Sequence, residues 1–319
     1  MPDTYTSQFS GEEIDSALRA AQIISGASTP AELRKKLEIR GDTIPVSASD
    51  STLISEALTK IPTTSSGGGG VNPNLLDNWY FGRPVNQRGQ TEYTAGGVYT
   101  LDRWWMQYDT TLSIVDGGIK IGGKWDVQQY FENTLPNATY TLSLLYKDRT
   151  GSDPLRLLIG NRTDGDIAQT ESKNASGILS ITVSTAALNK VNFGFTGSTD
   201  NSATIIAAKL ELGDTQTLAH KENGVWVLNE IPDYGEQLRR CQRYYLKLEK
   251  NSVGVTSGIA NIGGGLCYPI YFPTTMRTQP VITTTDSAAT TDYSSATGCR
   301  IVISTDSWKD FELTASADL

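Results

Sequence analysis

From Tyr99 onward apolar and polar residues alternate with a period of two, the pattern of strands that bury one face. Val98–Leu101, Leu112–Val115, Gly118–Ile121, Asp126–Phe131, Thr139–Lys147, Leu155–Ile159, Ile178–Val183, Lys190–Phe195 and Ala203–Leu212 read as strands, with Asp116-Gly117-Gly118 and Gly122-Gly123 as tight turns. Short strands in succession without a helical period predict a mainly β fold, an antiparallel jelly-roll sandwich over 74–216. Alternation resumes at Tyr244–Glu249, Val253–Ala260, Leu266–Tyr271, Gln279–Thr285, Arg300–Ser304 and Phe311–Ala315. That predicts a second, smaller β-sandwich over 244–319. The intervening 217–243 reads as a junction: a hairpin turning at Asn223-Gly224, then a short helix from the capping box Asp233–Glu236 to about Cys241.

The period changes before residue 63. Ser10 and Glu13 form a capping box, Phe9 and Ile14 are spaced as a hydrophobic staple, and Ile14, Ala17, Leu18 and Ala21 make a helical stripe ending at Gly26. A second helix is expected from Thr29, with Pro30 in its first turn, to Gly41, and a third from about Asp50 to Ile61 before Pro62. Helices this short are marginal in isolation, so residues 1–62 read as a region whose stripes pack on one another or dock on another chain. Residues 63–73, with Gly67 to Gly70, read as a flexible linker; no Gly-Lys-Ser/Thr follows, so the glycines are not a phosphate loop.

The chain has 319 residues, more than one hydrophobic core usually serves, and a formal net charge of −8, which lacks the basic footprint of a nucleic-acid binder. Cys241, Cys267 and Cys299 have no metal-ligand spacing and are expected as buried thiols. No metal or other cofactor is called for. The first residues carry no signal-peptide pattern, and no apolar run is long enough to cross a bilayer; the chain is expected to be made in a bacterial host cytoplasm, without membrane insertion.

Four segments carry a family resemblance: NLLDNWYFGRPVNQRG at Asn74–Gly89, YTLDRWWM at Tyr99–Met106, YTLSLLY at Tyr140–Tyr146 and AAKLELGDTQT at Ala207–Thr217. They resemble a module of bacteriophage and prophage tail and minor structural proteins, itself similar to the jelly-roll carbohydrate-binding modules of glycan-degrading enzymes. Gln216–Tyr245, with Cys-Gln-Arg-Tyr-Tyr at Cys241–Tyr245, resembles the junction that follows this module in phage tail proteins. The resemblance implies binding rather than catalysis, and domains at the far end of a trimeric fibre.

Sugar C–H faces stack on aromatic rings while nearby polar groups hold hydroxyls, so Trp105, Tyr108 and Trp125 are the candidate glycan contacts, with Arg103 and Gln128 as polar partners. Asp102, Lys120 and Gln129 are weaker polar candidates. Trp79 and Trp104 sit among apolar neighbours and are expected in the core; strand alternation then turns Trp105 outward. The Thr163–Asp166 segment reads as a turn rather than a calcium loop. His220 is the only histidine and lies in a polar approach to the hairpin, so no Ser/His/Asp or Cys/His arrangement is indicated and no catalytic residue is assigned.

The expectation is therefore a non-enzymatic virion protein: a tail fibre or receptor-binding protein, homotrimeric, attached to the tail or baseplate through residues 1–62 and binding host surface polysaccharide through its β-sandwiches. The alternative is a non-adhesive tail or baseplate scaffold or decoration protein. A polysaccharide depolymerase is the more distant alternative.

Overall fold

The computed structural model describes residues 72–108, 111–123, 125–163, 165–197, 200–253, 261–262, 265–303 and 309–319, without the side chains of 125, 250–253, 261–262, 265–266 and 309. The chain divides into Met1–Gly70 and Val71–Leu319, and every described residue belongs to the second unit. The three expected helices, the linker as far as residue 71 and residues 254–260 of the expected strand Val253–Ala260 lie outside the described residues.

Two six-stranded antiparallel sheets form the first sandwich. One contains β1 (Glu92–Tyr93), β4 (Thr111–Val115), β5 (Gly118–Gly122), β7 (Ala138–Thr150), β10 (Gly177–Thr185) and β12 (Ser202–Leu212), in the order β1-β4-β5-β12-β7-β10. The other contains β2 (Val98–Tyr99), β3 (Trp105–Met106), β6 (Trp125–Tyr130), β8 (Leu155–Asn161), β9 (Gly165–Ser172) and β11 (Lys190–Phe195), in the order β2-β3-β6-β11-β8-β9. Strands from β5 to β12 pass repeatedly from one sheet to the other, as the jelly-roll expectation requires.

Alternation decides what lies between the sheets. Leu142, Leu144 and Tyr146 of β7 meet Val127, Leu157 and Phe193 of the opposite sheet in one continuous core. Trp79 and Trp104 are buried there, as the sequence predicts. Trp104 lies 5.3 Å from Phe81 and 5.4 Å from Phe193, centroid to centroid, and its indole N–H donates to the Asn78 carbonyl at 2.8 Å. Burying a ring of this size contributes on the order of 4 kcal/mol. Close pairing of β5 with β12 depends on Gly118, where a Cβ would stand 2.3 Å from the Ile205 carbonyl oxygen.

The hairpin β13 (Ala219–Glu222) and β14 (Val225–Leu228) turns at Asn223 and Gly224, with φ of +51° and +81°, as expected for Asn-Gly. Its Trp226 and Leu228 pack on the core. Beside the hairpin, the fully buried Lys209 of β12 bonds Glu230 at 3.0 Å and lies 3.7 Å from Glu211. The helix α1 (Tyr234–Cys241) starts at the predicted cap, where the Asp233 side chain accepts from the Glu236 amide at 2.8 Å.

The second sandwich pairs a three-stranded sheet, β15 (Tyr245–Val253), β21 (Lys309–Ser316) and β18 (Val281–Thr284), with a four-stranded one. The latter is β16 (Asn261–Ile262), β17 (Gly265–Tyr271), β20 (Gly298–Ile303) and β19 (Ala289–Ser295). Leu246, Tyr268, Ile301, Phe311 and Leu313 form its core. Among the described residues, no helix is long and apolar enough to cross a membrane.

Candidate functional site

The outer face of the second six-stranded sheet is assembled by register. Met106, Val127, Val191 and Phe193 point to the core, so their strand neighbours point away from it. Trp105 is opposite Gln128, Gln128 opposite Asn192, Asn192 opposite Leu158, and Leu158 opposite Gln169, giving one row across β3, β6, β11, β8 and β9. Asp126 and Tyr130 flank Gln128 on the same face, and Tyr99 of β2 stands opposite Trp105.

Trp105, Tyr130 and Tyr99 bring aromatic rings to this surface. Trp105 and Tyr130 lie 6.2 Å apart at 48°, and Arg162 stacks over Tyr130 at 4.7 Å. Between them runs a polar relay: the Tyr130 hydroxyl donates to Gln128 Oε1 at 2.6 Å, Gln128 Nε2 donates to Gln107 Oε1, and Gln107 Nε2 donates to the Tyr108 hydroxyl at 3.1 Å. Burial raises the Tyr130 pKa above the usual phenol value, against the pull of Arg162, so its hydroxyl stays a donor. Next to the relay, Asn192 Nδ2 donates to Asp126 Oδ2. The other oxygens of this pair, Asp126 Oδ1 and Asn192 Oδ1, are buried and have no hydrogen-bond partner among the described residues. An orphaned buried acceptor costs about 1–3 kcal/mol, so the face lacks donors at a defined place beside its rings.

The sequence candidates divide. Trp105, half-buried, and Gln128, 2% exposed, belong to this face, and Tyr108, 44% exposed, adjoins it through Gln107. Trp125 opens β6 opposite Phe195, and its side chain is outside the described residues. Arg103 does not join the face: it is 2% exposed, its Nε bonded to Asp77 at 3.0 Å and its Nη2 to the Tyr130 carbonyl at 2.6 Å. Alternation fails there because residues 100–104 are a turn closed by the Thr100 amide on the Trp104 carbonyl, with Arg103 at φ +73°. Asp102 and Gln129 are also buried, and Lys120 lies on β5 of the other sheet. Asp126, Tyr130, Asn192, Gln107 and Arg162 went unread in the sequence. Only the alternation of Asp126, Gln128 and Tyr130 within one strand could have pointed to them.

A second polar assembly joins the two sandwiches. The Asn78 amide donates to Gln237 Oε1 at 2.7 Å, Arg240 pairs with Asp77 at 2.7 Å, and Gln87 Nε2 donates to the Tyr245 carbonyl at 2.7 Å. Arg103 stacks on Tyr244 at 3.6 Å and Arg88 on Tyr245 at 3.9 Å, while Arg88 also pairs with Asp318 at 2.6 Å. The polar half of Asn74–Gly89 thus receives the Cys241–Tyr245 segment. The three thiols are buried and free, and burial raises the pKa of Cys241 and lifts that of Cys299 to about 11. His220 is exposed, its Nδ1 2.5 Å from Asn229 Oδ1.

No protein-family profile and no curated protein matches the sequence. Solved structures similar to the chain include the second N-terminal cellulose-binding domain of Cellulomonas fimi β-1,4-glucanase C, with 14% identity, 47% of this chain and 100% of that one covered, and a TM-score of 0.32. The CBM22-1 xylan-binding domain of Paenibacillus barcinonensis Xyn10C gives 14%, 47%, 100% and 0.30. TmCBM61, solved with β-1,4-galactotriose, gives 11%, 44%, 99% and 0.27. Likeness this remote says nothing of what the chain binds.

Proposed function

We propose that the chain is a non-catalytic, glycan-binding structural protein of a phage tail, a tail fibre or receptor-binding protein that holds host surface polysaccharide on the Trp105 face. The orphaned acceptors Asp126 Oδ1 and Asn192 Oδ1 beside the Trp105–Tyr130 pair carry the reading. A sugar offers what this arrangement lacks: hydroxyl donors for the two oxygens and C–H faces for the rings. The tail assignment rests on the sequence resemblance of Gln216–Tyr245. In this reading residues 1–62 attach to the baseplate and the second sandwich packs against copies of itself as a trimer. Its exposed Tyr271, Val281 and Tyr293, at 81%, 70% and 59%, favour such packing.

A glycan array probed with the full chain, with Trp105→Ala and with Asn192→Ala tests it. Parent binding to a neutral polysaccharide should weaken by about tenfold or more in each variant while each still unfolds in one cooperative transition. Parent protein that binds no glycan, or variants that bind as well as the parent, would leave the scaffold alternative in its place.

A further inference from the structure

Where β6 leaves the sheet, residues 131–136 face α1 and the start of the second sandwich across a cavity of about 480 Å³. That volume falls within the range of small-molecule sites. Its charged lining consists of Asp77, Glu132, Arg103, Arg240 and Arg243, so three guanidinium groups face two carboxylates and one positive charge is in excess.

Both carboxylates are already engaged. Asp77 takes Arg103 Nε and Arg240 Nη2, and Glu132 takes Arg243 Nη2 at 3.1 Å and the Tyr244 hydroxyl at 3.3 Å. The guanidinium groups are not exhausted. With Nε and Nη2 of Arg103 bonded, its Nη1 is buried without a partner among the described residues, on a side chain that is 1% exposed and stacked on Tyr244. Arg240 and Arg243, 32% and 45% exposed in their side chains, stand nearer the rim. Phe131, Leu135 and Pro136 supply an apolar wall.

We propose that this cavity binds a monosaccharide-sized carboxylate, an acidic sugar of the uronate class. The carboxylate meets Arg103 Nη1 and the rim arginines, and the ring lies on the apolar wall. A guanidinium fork matches a carboxylate, and the buried orphan donor gains the acceptor it lacks. The anion site stands on this geometry alone; that the anion belongs to a sugar rests on the glycan-binding reading. The site is separate from the Trp105 face and opposite in demand, a donor-rich cavity against an acceptor-rich surface.

Ligand-observed NMR titration of the full chain with galacturonate, methyl galactoside and inorganic phosphate tests it. Galacturonate should bind, survive Trp105→Ala, weaken about tenfold in Arg243→Gln and tighten in Glu132→Gln, which removes the competing negative charge. Loss of galacturonate binding in Trp105→Ala with none in Arg243→Gln would move the ligand to the sheet face and overturn the cavity assignment. Phosphate binding as tight as galacturonate, or galactoside binding just as well, would overturn the uronate class. Absence of galacturonate binding up to about 10 mM would overturn the site even if neutral glycans still bind the Trp105 face.

Discussion

Asp102 offers the sharpest energetic test. It is fully buried beside the joint, where its Oδ2 accepts from the Gln87 amide at 3.2 Å and from Gln87 Nε2 at 2.9 Å. Its Oδ1 lies 3.9 Å from Arg88 Nε, and both atoms are without a hydrogen bond among the described residues. Burial lifts the carboxyl from 3.8 to about 6, against the Gln87 hydrogen bonds and the Arg88 charge. The folded chain therefore holds this proton more tightly than the unfolded chain. The resulting stability is fully present below the unfolded value of 3.8 and is shed as pH rises toward 6. The loss amounts to about 3 kcal/mol, of which about 2 kcal/mol falls above pH ~4.5. Asp102→Asn removes the titration while keeping the shape. Urea unfolding at pH ~4.5 and ~7.5 should show the variant gaining about 2 kcal/mol on the parent between the two. A difference that stays within about 0.5 kcal/mol across that range would refute the buried-carboxyl account.

Neighbouring tryptophans should separate stability from binding. Trp104→Ala should cost about 3–5 kcal/mol in denaturant unfolding, whereas Trp105→Ala should cost less than half as much. Lys209→Ala leaves the buried Glu211 carboxylate with the Thr217 amide and hydroxyl but without the ammonium 3.7 Å away, and should destabilise the first sandwich by about 3 kcal/mol, measured by urea unfolding at pH ~7. Arg88→Ala removes the stack on Tyr245 and the pair with Asp318; native-state hydrogen exchange should speed up at the Leu319 amide, which donates to the Tyr99 hydroxyl at 3.1 Å, more than at the β7–β12 ladder.

Local signals were legible in the sequence. The Asp233 cap, the Asn223-Gly224 turn and strands rich in Leu, Ile and Val needed no distant partner to be read. Strands β9 and β19 were missed because GDIAQTES and ATTDYSS carry almost no apolar side chain, and each closes the edge of its sheet, where little has to be buried. Strand β1, of two residues, falls below any period. At the candidate site the limit was distance along the chain. Trp105 follows from the buried Trp104 beside it, but Asp126 and Asn192 meet from 66 residues apart, and only the β6–β11 register brings them together. Arg103 fell outside the Trp105 face because a turn replaced the strand that alternation assumes.

The joint shows why an arginine can be buried at that turn. A guanidinium loses its hydration on burial and persists only where partners replace it. Asp77, the Tyr130 carbonyl and the Tyr244 ring do so for Arg103, and they come from the first segment of the jelly roll, from β6 and from the Cys241–Tyr245 segment. Removal of any of these segments would leave the buried guanidinium short of a partner, so their packing is mutually dependent. Asn74–Gly89 and Cys241–Tyr245, two of the segments that carry the resemblance, are thereby two sides of one contact. A change at Tyr244 should then be felt at Tyr130, whose carbonyl holds Arg103 and whose ring forms half of the aromatic pair on the outer face. The joint and the outer face of the sheet meet at that residue.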